Sequence, residues 1–149
     1  MMAANLPKPV HSPAGPRPFL VTLVALVVLT ITTIYLIRFV QALSWWDFLA
    51  SLPGVSPLYL VLTGLLWTLI GLPLTWGLWH GWPKMRSATR LFAVGFAIYV
   101  WLERLLAANT DGETSNWPFA AGMTLIVLGF VLWALSLPAV KVYFGELHE

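Results

Sequence analysis

Long apolar stretches alternate with short polar connections along most of this chain. The stretches cover residues 19–43, 57–79, 91–108 and 117–143. Each is close to or longer than the roughly 20 residues that a helix needs to cross a hydrocarbon core of about 30 Å. Lipid offers a backbone no hydrogen-bond partner, so such stretches should be helices. The pattern predicts an all-α, polytopic membrane protein, with four transmembrane helices in an up-down bundle over residues 19–149.

Proline and serine mark where several of these helices should begin, bend or end. Ser56 before Pro57 is typical of an N-cap followed by proline at the first helical position. Pro73 lies inside the second stretch and predicts a kink, because proline removes one backbone hydrogen bond. Pro138 should bend or end the fourth helix near its exit from the membrane.

Two segments outside the four stretches have their own patterns. Residues 44–57, SWWDFLASLPGVSP, are largely apolar and predict a short helix in the outer interface after the first span. Within them, Ser44 followed by Asp47 resembles a capping box with aspartate in the place of glutamate. Residues 1–18 are rich in proline and predict an extended, disordered cytoplasmic tail.

Lysine and arginine are unevenly divided between the two sides that four spans would create. One side holds Lys8, Arg17, Lys84, Arg86, Arg90 and Lys141, and the other holds Arg38 and Arg104. Basic residues favour the cytoplasmic side of membrane proteins. We therefore expect a multi-pass protein of the inner (plasma) membrane with both termini in the cytoplasm.

Tryptophan gives a second indication of the membrane boundaries, because indole rings favour the lipid–water interface. The predicted interface anchors are Trp45, Trp46 and Trp117 at the outer boundary and Trp76, Trp79, Trp82 and Trp133 at the inner one.

Glycines in two of the stretches indicate where helices pack. Membrane helices approach closely at small residues. Gly64 and Gly71 in the second stretch, and Gly122 and Gly129 in the fourth, are seven residues apart and therefore share one face of their helix. We interpret both faces as places where these helices meet neighbours.

One acidic side chain is expected inside the membrane. At 1.5 Å per residue, Glu103 lies about 20 Å along its helix from Arg90, which places it in the outer leaflet. An embedded charge usually has a partner. Arg104 diverges from Glu103 by about 100° around the helix, so Arg38 of the first span is the predicted partner in a structural ion pair. The alternative, a proton or cation site, is less favoured because a relay needs several such groups.

Composition supports a membrane protein and excludes several functions. Hydrophobic residues make up 59% of the chain and charged residues 9%, against about 25% in soluble proteins. A net charge of +2 argues against a nucleic-acid partner. The chain has no cysteine, catalytic triad, metal-ligand spacing, Walker loop or dinucleotide fingerprint. We therefore expect no catalytic residues, no metal, no cofactor and no enzymatic activity.

Two segments carry a resemblance to a known kind of protein. VSPLYLVLTGLLWTLIGLPLTWGLWHG and NWPFAAGMTLIVLGFVLWALSLPAVKVYF resemble uncharacterised four-helix bacterial integral membrane proteins. The resemblance covers most of the chain after the tail. It implies a fold and no activity, so no functional residue is carried over from it.

These observations favour a non-catalytic accessory or structural subunit of a larger membrane protein complex. Its partners would be membrane lipids and other membrane protein subunits, and an energy-converting electron-transfer complex is a reasonable host. Two alternatives stay open. One is a small self-assembling transporter or channel that uses Glu103. The other is a binder of lipid, quinone or pigment in a groove lined by Trp67, Tyr99 and Trp101.

Overall fold

The computed structural model describes residues 17–111 and 117–146, with the backbone alone for residues 107–111. In these residues it contains helices and no strand, which confirms the all-α class. The helices are α1 (Phe19–Ser44), α2 (Trp46–Ser51), α3 (Pro57–His80), α4 (Met85–Asp111), α5 (Trp117–Ala134) and α6 (Pro138–Tyr143). The expectations for the tail before Arg17, for residues 112–116 and for residues 147–149 lie outside the described residues.

Three of these helices are long and apolar enough to cross a membrane, which is compatible with a multi-pass membrane protein. They are α1, α3 and α5. Helix α4 is not among them, and it carries Arg86, Arg90, Glu103 and Arg104 along its length. The crossing by α4, the up-down arrangement and the interfacial position of α2 stay predictions.

The first two long helices have nearly the expected bounds. α1 and α3 begin where the apolar stretches begin and end one residue after them. Ser56 caps α3 as predicted: its hydroxyl accepts a hydrogen bond from the Tyr59 amide at 3.4 Å, and Pro57 occupies the first helical position. The expected capping box of α2 is wrong. Ser44 still belongs to α1, and its hydroxyl donates to the Val40 carbonyl at 2.9 Å.

The third and fourth stretches differ more from their expected bounds. α4 begins at Met85 rather than at residue 91. The residue before it, Lys84, has a positive φ of 75° and is therefore not part of a right-handed helix. The stretch 117–143 is two helices, because α5 ends at Ala134 and α6 starts at Pro138. Leu137 has the extended backbone that a following proline imposes, with φ −66° and ψ 143°, so one helix cannot continue through it.

The hairpin of α1 and α3 is the most closely packed part of the structure. Gly71 lies directly against the Thr32 side chain, and a Cβ on Gly64 would lie 2.9 Å from the Cβ of Phe39. The Thr32 hydroxyl is buried and donates to the Val28 carbonyl of its own helix at 2.7 Å. The close approach therefore depends on the glycines and leaves no polar group of this threonine unpaired.

The described N-terminal residues, the α3–α4 turn and α6 meet at one end of the molecule. The guanidinium of Arg17 lies 4.2 Å from the centre of the Trp79 ring. The Tyr143 hydroxyl donates to the Trp79 carbonyl at 3.1 Å. Arg86 of α4 forms an ion pair with Glu146, just after α6. We call the part of the molecule around these five residues the basic end.

Candidate functional site

The structure brings Arg38 of α1 and Glu103 of α4 together. Arg38 Nη2 donates to Glu103 Oε1 at 2.6 Å. The two side chains are 31% and 28% exposed, so the pair is partly enclosed by the protein. This contact links two helices through residues that are 65 positions apart in the chain.

Tyrosines surround this ion pair. The guanidinium of Arg38 lies 5.7 Å from the centre of the Tyr35 ring, a distance at which a cation is attracted to the face of an aromatic ring. The Tyr59 hydroxyl donates to the Tyr99 hydroxyl at 3.3 Å, which adds a polar contact between α3 and α4. The cluster therefore joins α1, α3 and α4 through polar groups at one level of the bundle.

A proton or cation site at Glu103 would need further acidic or histidine side chains close to it. Glu103 is the only acidic residue in the described part of α4 that lies before residue 107. Among residues 17–111 and 117–146, no three histidine or acidic side chains are grouped closely enough to hold a metal ion.

The structure brings together only two of the three residues expected to line a groove, Trp67, Tyr99 and Trp101. Trp67 and Tyr99 pack on each other, with ring centres 5.1 Å apart, while Trp101 packs on Trp117 at 5.7 Å. The reason is helical geometry: residues two apart point in directions that differ by about 200°, so Tyr99 and Trp101 face different neighbours.

Trp67 is instead the centre of a buried aromatic cluster. Its ring lies 5.5 Å from Phe92 and 5.0 Å from Phe96, both of α4, and 6.3 Å from Tyr35 of α1. Such tilted and edge-on pairs are favourable beyond the area they bury. The Trp67 indole nitrogen is buried and has no hydrogen-bond partner within the described residues. This cluster fills the space between α1, α3 and α4.

An apolar groove runs between α1, α4 and α5, on the other side of Phe92 and Phe96. Its volume is about 250 Å³. Helix α1 contributes Val27, Val28 and Ile31; α4 contributes Thr89, Phe92, Ala93, Phe96, Ala97 and Val100; α5 contributes Met123, Thr124, Val127, Leu128 and Val131. The pattern of the sequence did not predict this groove. The only feature of the sequence that indicates a gap here is the presence of two alanines, Ala93 and Ala97, on the side of α4 that faces α5.

The four glycines expected at packing faces fall into two groups. Gly64 and Gly71 lie against α1, as described above. A Cβ on Gly122 or Gly129 would meet no atom of the described chain within 4 Å. These two glycines of α5 therefore face away from the other helices, and a neighbour for them would have to come from outside the described chain.

Most of the expected interface tryptophans are on the surface. Trp45 and Trp46 are exposed near the end of α1, and Trp76, Trp79, Trp82 and Trp133 are exposed in the half of the molecule that contains the basic end. Trp117 is half-buried against Trp101. The level of these rings relative to a lipid boundary stays a prediction.

Two arginines of α4 hold the end of α5 at the basic end. Arg86 Nε donates to the Leu135 carbonyl at 2.6 Å, and Arg90 Nη2 donates to the same carbonyl at 3.0 Å. Arg90 also donates to the Ser136 hydroxyl at 2.9 Å. The last carbonyls of a helix have no partner within it, and these guanidinium groups supply one. Burial, together with the positive charge of Arg90, lowers the pKa of Arg86 from its ordinary value.

Comparisons of the chain with protein-family models, curated proteins and solved structures find no match.

Proposed function

We propose that this protein is a non-catalytic accessory subunit that spans the inner membrane four times and binds other membrane protein subunits through α5. In this proposal α4 also crosses the membrane, both termini are cytoplasmic, and α2 lies in the outer interface. α4 has 27 residues, or about 40 Å of helix, and its residues 91–102 carry no charge. Arg86 and Arg90 would then lie near the inner boundary, and Glu103 would lie in the outer leaflet, where Arg38 pairs with it.

The observation that carries this proposal is that one face of α5, the face of Gly122 and Gly129, is not covered by the described chain. We call it the outer face of α5 because it points away from the other helices. Only 11% of its apolar stretch is buried within the chain, against 33% in α1. Phe119, Leu125, Ile126 and Trp133 are exposed around Gly122 and Gly129.

Exposed apolar side chains alone would suit lipid as well as protein. Membrane helices, however, associate largely through close approach at small residues. Two uncovered glycines seven residues apart on one face offer that approach to another helix, and the corresponding glycines of α3 already receive α1 in this way. The outer face of α5 therefore supports a helix of another subunit as its neighbour.

Native mass measurement after gentle detergent extraction tests the proposal. The unaltered chain should migrate in a mixed complex, and Gly122→Leu combined with Gly129→Leu should release it, because the added side chains hold the partner helix away. Ile126→Leu on the same face keeps the side-chain volume and should leave the complex intact. A lone chain in the unaltered sample, or a complex that tolerates both leucines, would contradict the proposal.

No observation favours transport through Glu103, whose carboxylate is bound by Arg38. An energy-converting electron-transfer complex as the host stays a prediction from the sequence.

A further inference from the structure

The groove between α1, α4 and α5 offers an occupant no free hydrogen-bond donor from a side chain. Its two polar residues are Thr89 and Thr124. Their hydroxyls donate to carbonyls of their own helices, Met85 at 2.7 Å and Ala120 at 2.8 Å. Since a threonine hydroxyl has one proton, neither can donate to a ligand without giving up that bond. The other lining residues are apolar, so the groove favours an apolar occupant.

The dimensions of the groove suit one hydrocarbon chain. Along α4 it extends from Thr89 to Val100, which is about 16 Å of helix. Half of a hydrocarbon core of about 30 Å is close to that length, so the groove is as long as one leaflet is thick. Its volume of about 250 Å³ is below the roughly 300–1,000 Å³ of pockets for compact drug-sized ligands.

A positive charge lies at one end of the groove. Thr89 and Val131 line that end, and the Leu135 amide donates to the Val131 carbonyl at 3.0 Å. The Leu135 carbonyl, one turn beyond the groove, accepts from Arg90. Among the described residues Arg90 contacts no carboxylate, whereas neighbouring Arg86 is paired with Glu146. Within the described residues, the positive charge of Arg90 is therefore not neutralised by a carboxylate, and it lies next to the end of an apolar groove.

We propose that this groove holds one acyl chain of an anionic phospholipid and that Arg90 binds its phosphate. The chain would replace the missing side-chain contacts between α4 and α5, and the headgroup would lie at the basic end. A guanidinium is suited to this role because it forms charge-assisted hydrogen bonds to phosphate oxygens. The proposal is independent of a partner helix, which would bind the opposite, outer face of α5.

Lipid binding to the purified full-length chain tests this inference. The protein would be stripped of lipid in mild detergent, titrated with phosphatidylglycerol or with phosphatidylcholine of the same chains, and examined by native mass spectrometry. We expect one phosphatidylglycerol per chain to bind at least tenfold more tightly than phosphatidylcholine. Arg90→Gln should weaken phosphatidylglycerol binding by about tenfold and remove this preference, because hydrogen bonds to charged groups contribute at least one decade in Kd. Arg104→Gln removes a cation from the same helix away from the basic end and should change neither value.

A second pair of variants tests the acyl-chain part. Ala97→Trp places a ring in the groove and should prevent binding of either lipid, whereas Leu91→Trp adds the same ring on a side chain that is 76% exposed and should not. Far-ultraviolet circular dichroism would establish that the variants keep their helices. Equal binding of the two lipids, unchanged binding by Ala97→Trp, or a lipid-free dimer that Ala97→Trp dissociates would each overturn the proposal. The last result would assign the groove to a second copy of the chain.

Discussion

The contact between Arg38 and Glu103 could be predicted from a single charged residue in an apolar stretch. A charge in a largely apolar helix is costly, so a nearby opposite charge is expected. Helical geometry then excludes the adjacent Arg104 and leaves a residue on another helix. The structure brings Arg38 to 2.6 Å from Glu103. Their exposure of 31% and 28% indicates that the pair is only partly removed from its surroundings. Its contribution should therefore lie below that of a fully buried pair.

A double-mutant cycle would measure the contribution of this pair to stability. Arg38→Leu and Glu103→Leu should each lower the free energy of unfolding in detergent by about 1–3 kcal/mol, because each leaves a partly buried charged group without its partner. The double variant should lose clearly less than the sum of the two, since no charge is then left unpaired. Arg104→Gln is the control for a change in net charge and should have little effect. Losses that simply add would show that the two side chains do not interact.

At the level of helices, the sequence predicts most of the bounds of α1 and α3 but not every detail of their ends. The bounds of α1 and α3 follow from the ends of apolar runs and from the Ser56 cap. The break after α5 follows from Pro138, although the apolar run continues to residue 143. The capping box at Ser44 fails because α1 extends through that residue. In each case the backbone hydrogen bonds of the helix itself determine the outcome.

Packing between helices is less predictable from the sequence. Two glycine pairs with the same spacing have different surroundings: Gly64 and Gly71 contact α1, while Gly122 and Gly129 face open space. The spacing identifies a face of a helix but not the element that covers it. The apolar groove was not predicted for the same reason, because the separation of α4 and α5 depends on how both pack against α1.

The α1–α3 interface permits a matched test of helix packing. Gly71→Ala should destabilise the protein by about 1–3 kcal/mol, because the new Cβ would overlap the Thr32 side chain and force α1 to move. At Gly95 of α4 a Cβ would meet no described atom within 4 Å, so Gly95→Ala should be neutral or stabilise by up to about 1 kcal/mol through its higher helix propensity. Thermal unfolding in the same detergent would compare them. Equal gains from both alanines would show that α1 does not approach α3 at Gly71.

Across the whole molecule, the contacts between helices and the distribution of basic residues indicate the same orientation in the membrane. The contacts of Arg17, the α3–α4 turn and α6 bring together three parts of the chain that are distant in sequence. Five of the basic residues assigned to the cytoplasmic side, Arg17, Lys84, Arg86, Arg90 and Lys141, lie in or next to these parts. The basic end should therefore face the cytoplasm, and the Arg38–Glu103 pair should lie nearer the outer boundary.

Labelling of single cysteines in intact cells would test this topology, and the natural chain, which has no cysteine, provides an unlabelled background. Ser51→Cys at the end of α2 and Ser115→Cys after α4 should react with a membrane-impermeant maleimide from outside, whereas Lys84→Cys should react only after the cells are permeabilised. The decisive comparison is between positions 84 and 115, because α4 is the only long helix between them. If α4 crosses the membrane, they must lie on opposite sides. Labelling of both from the same side would reduce the protein to three spans and would place its termini on opposite sides of the membrane.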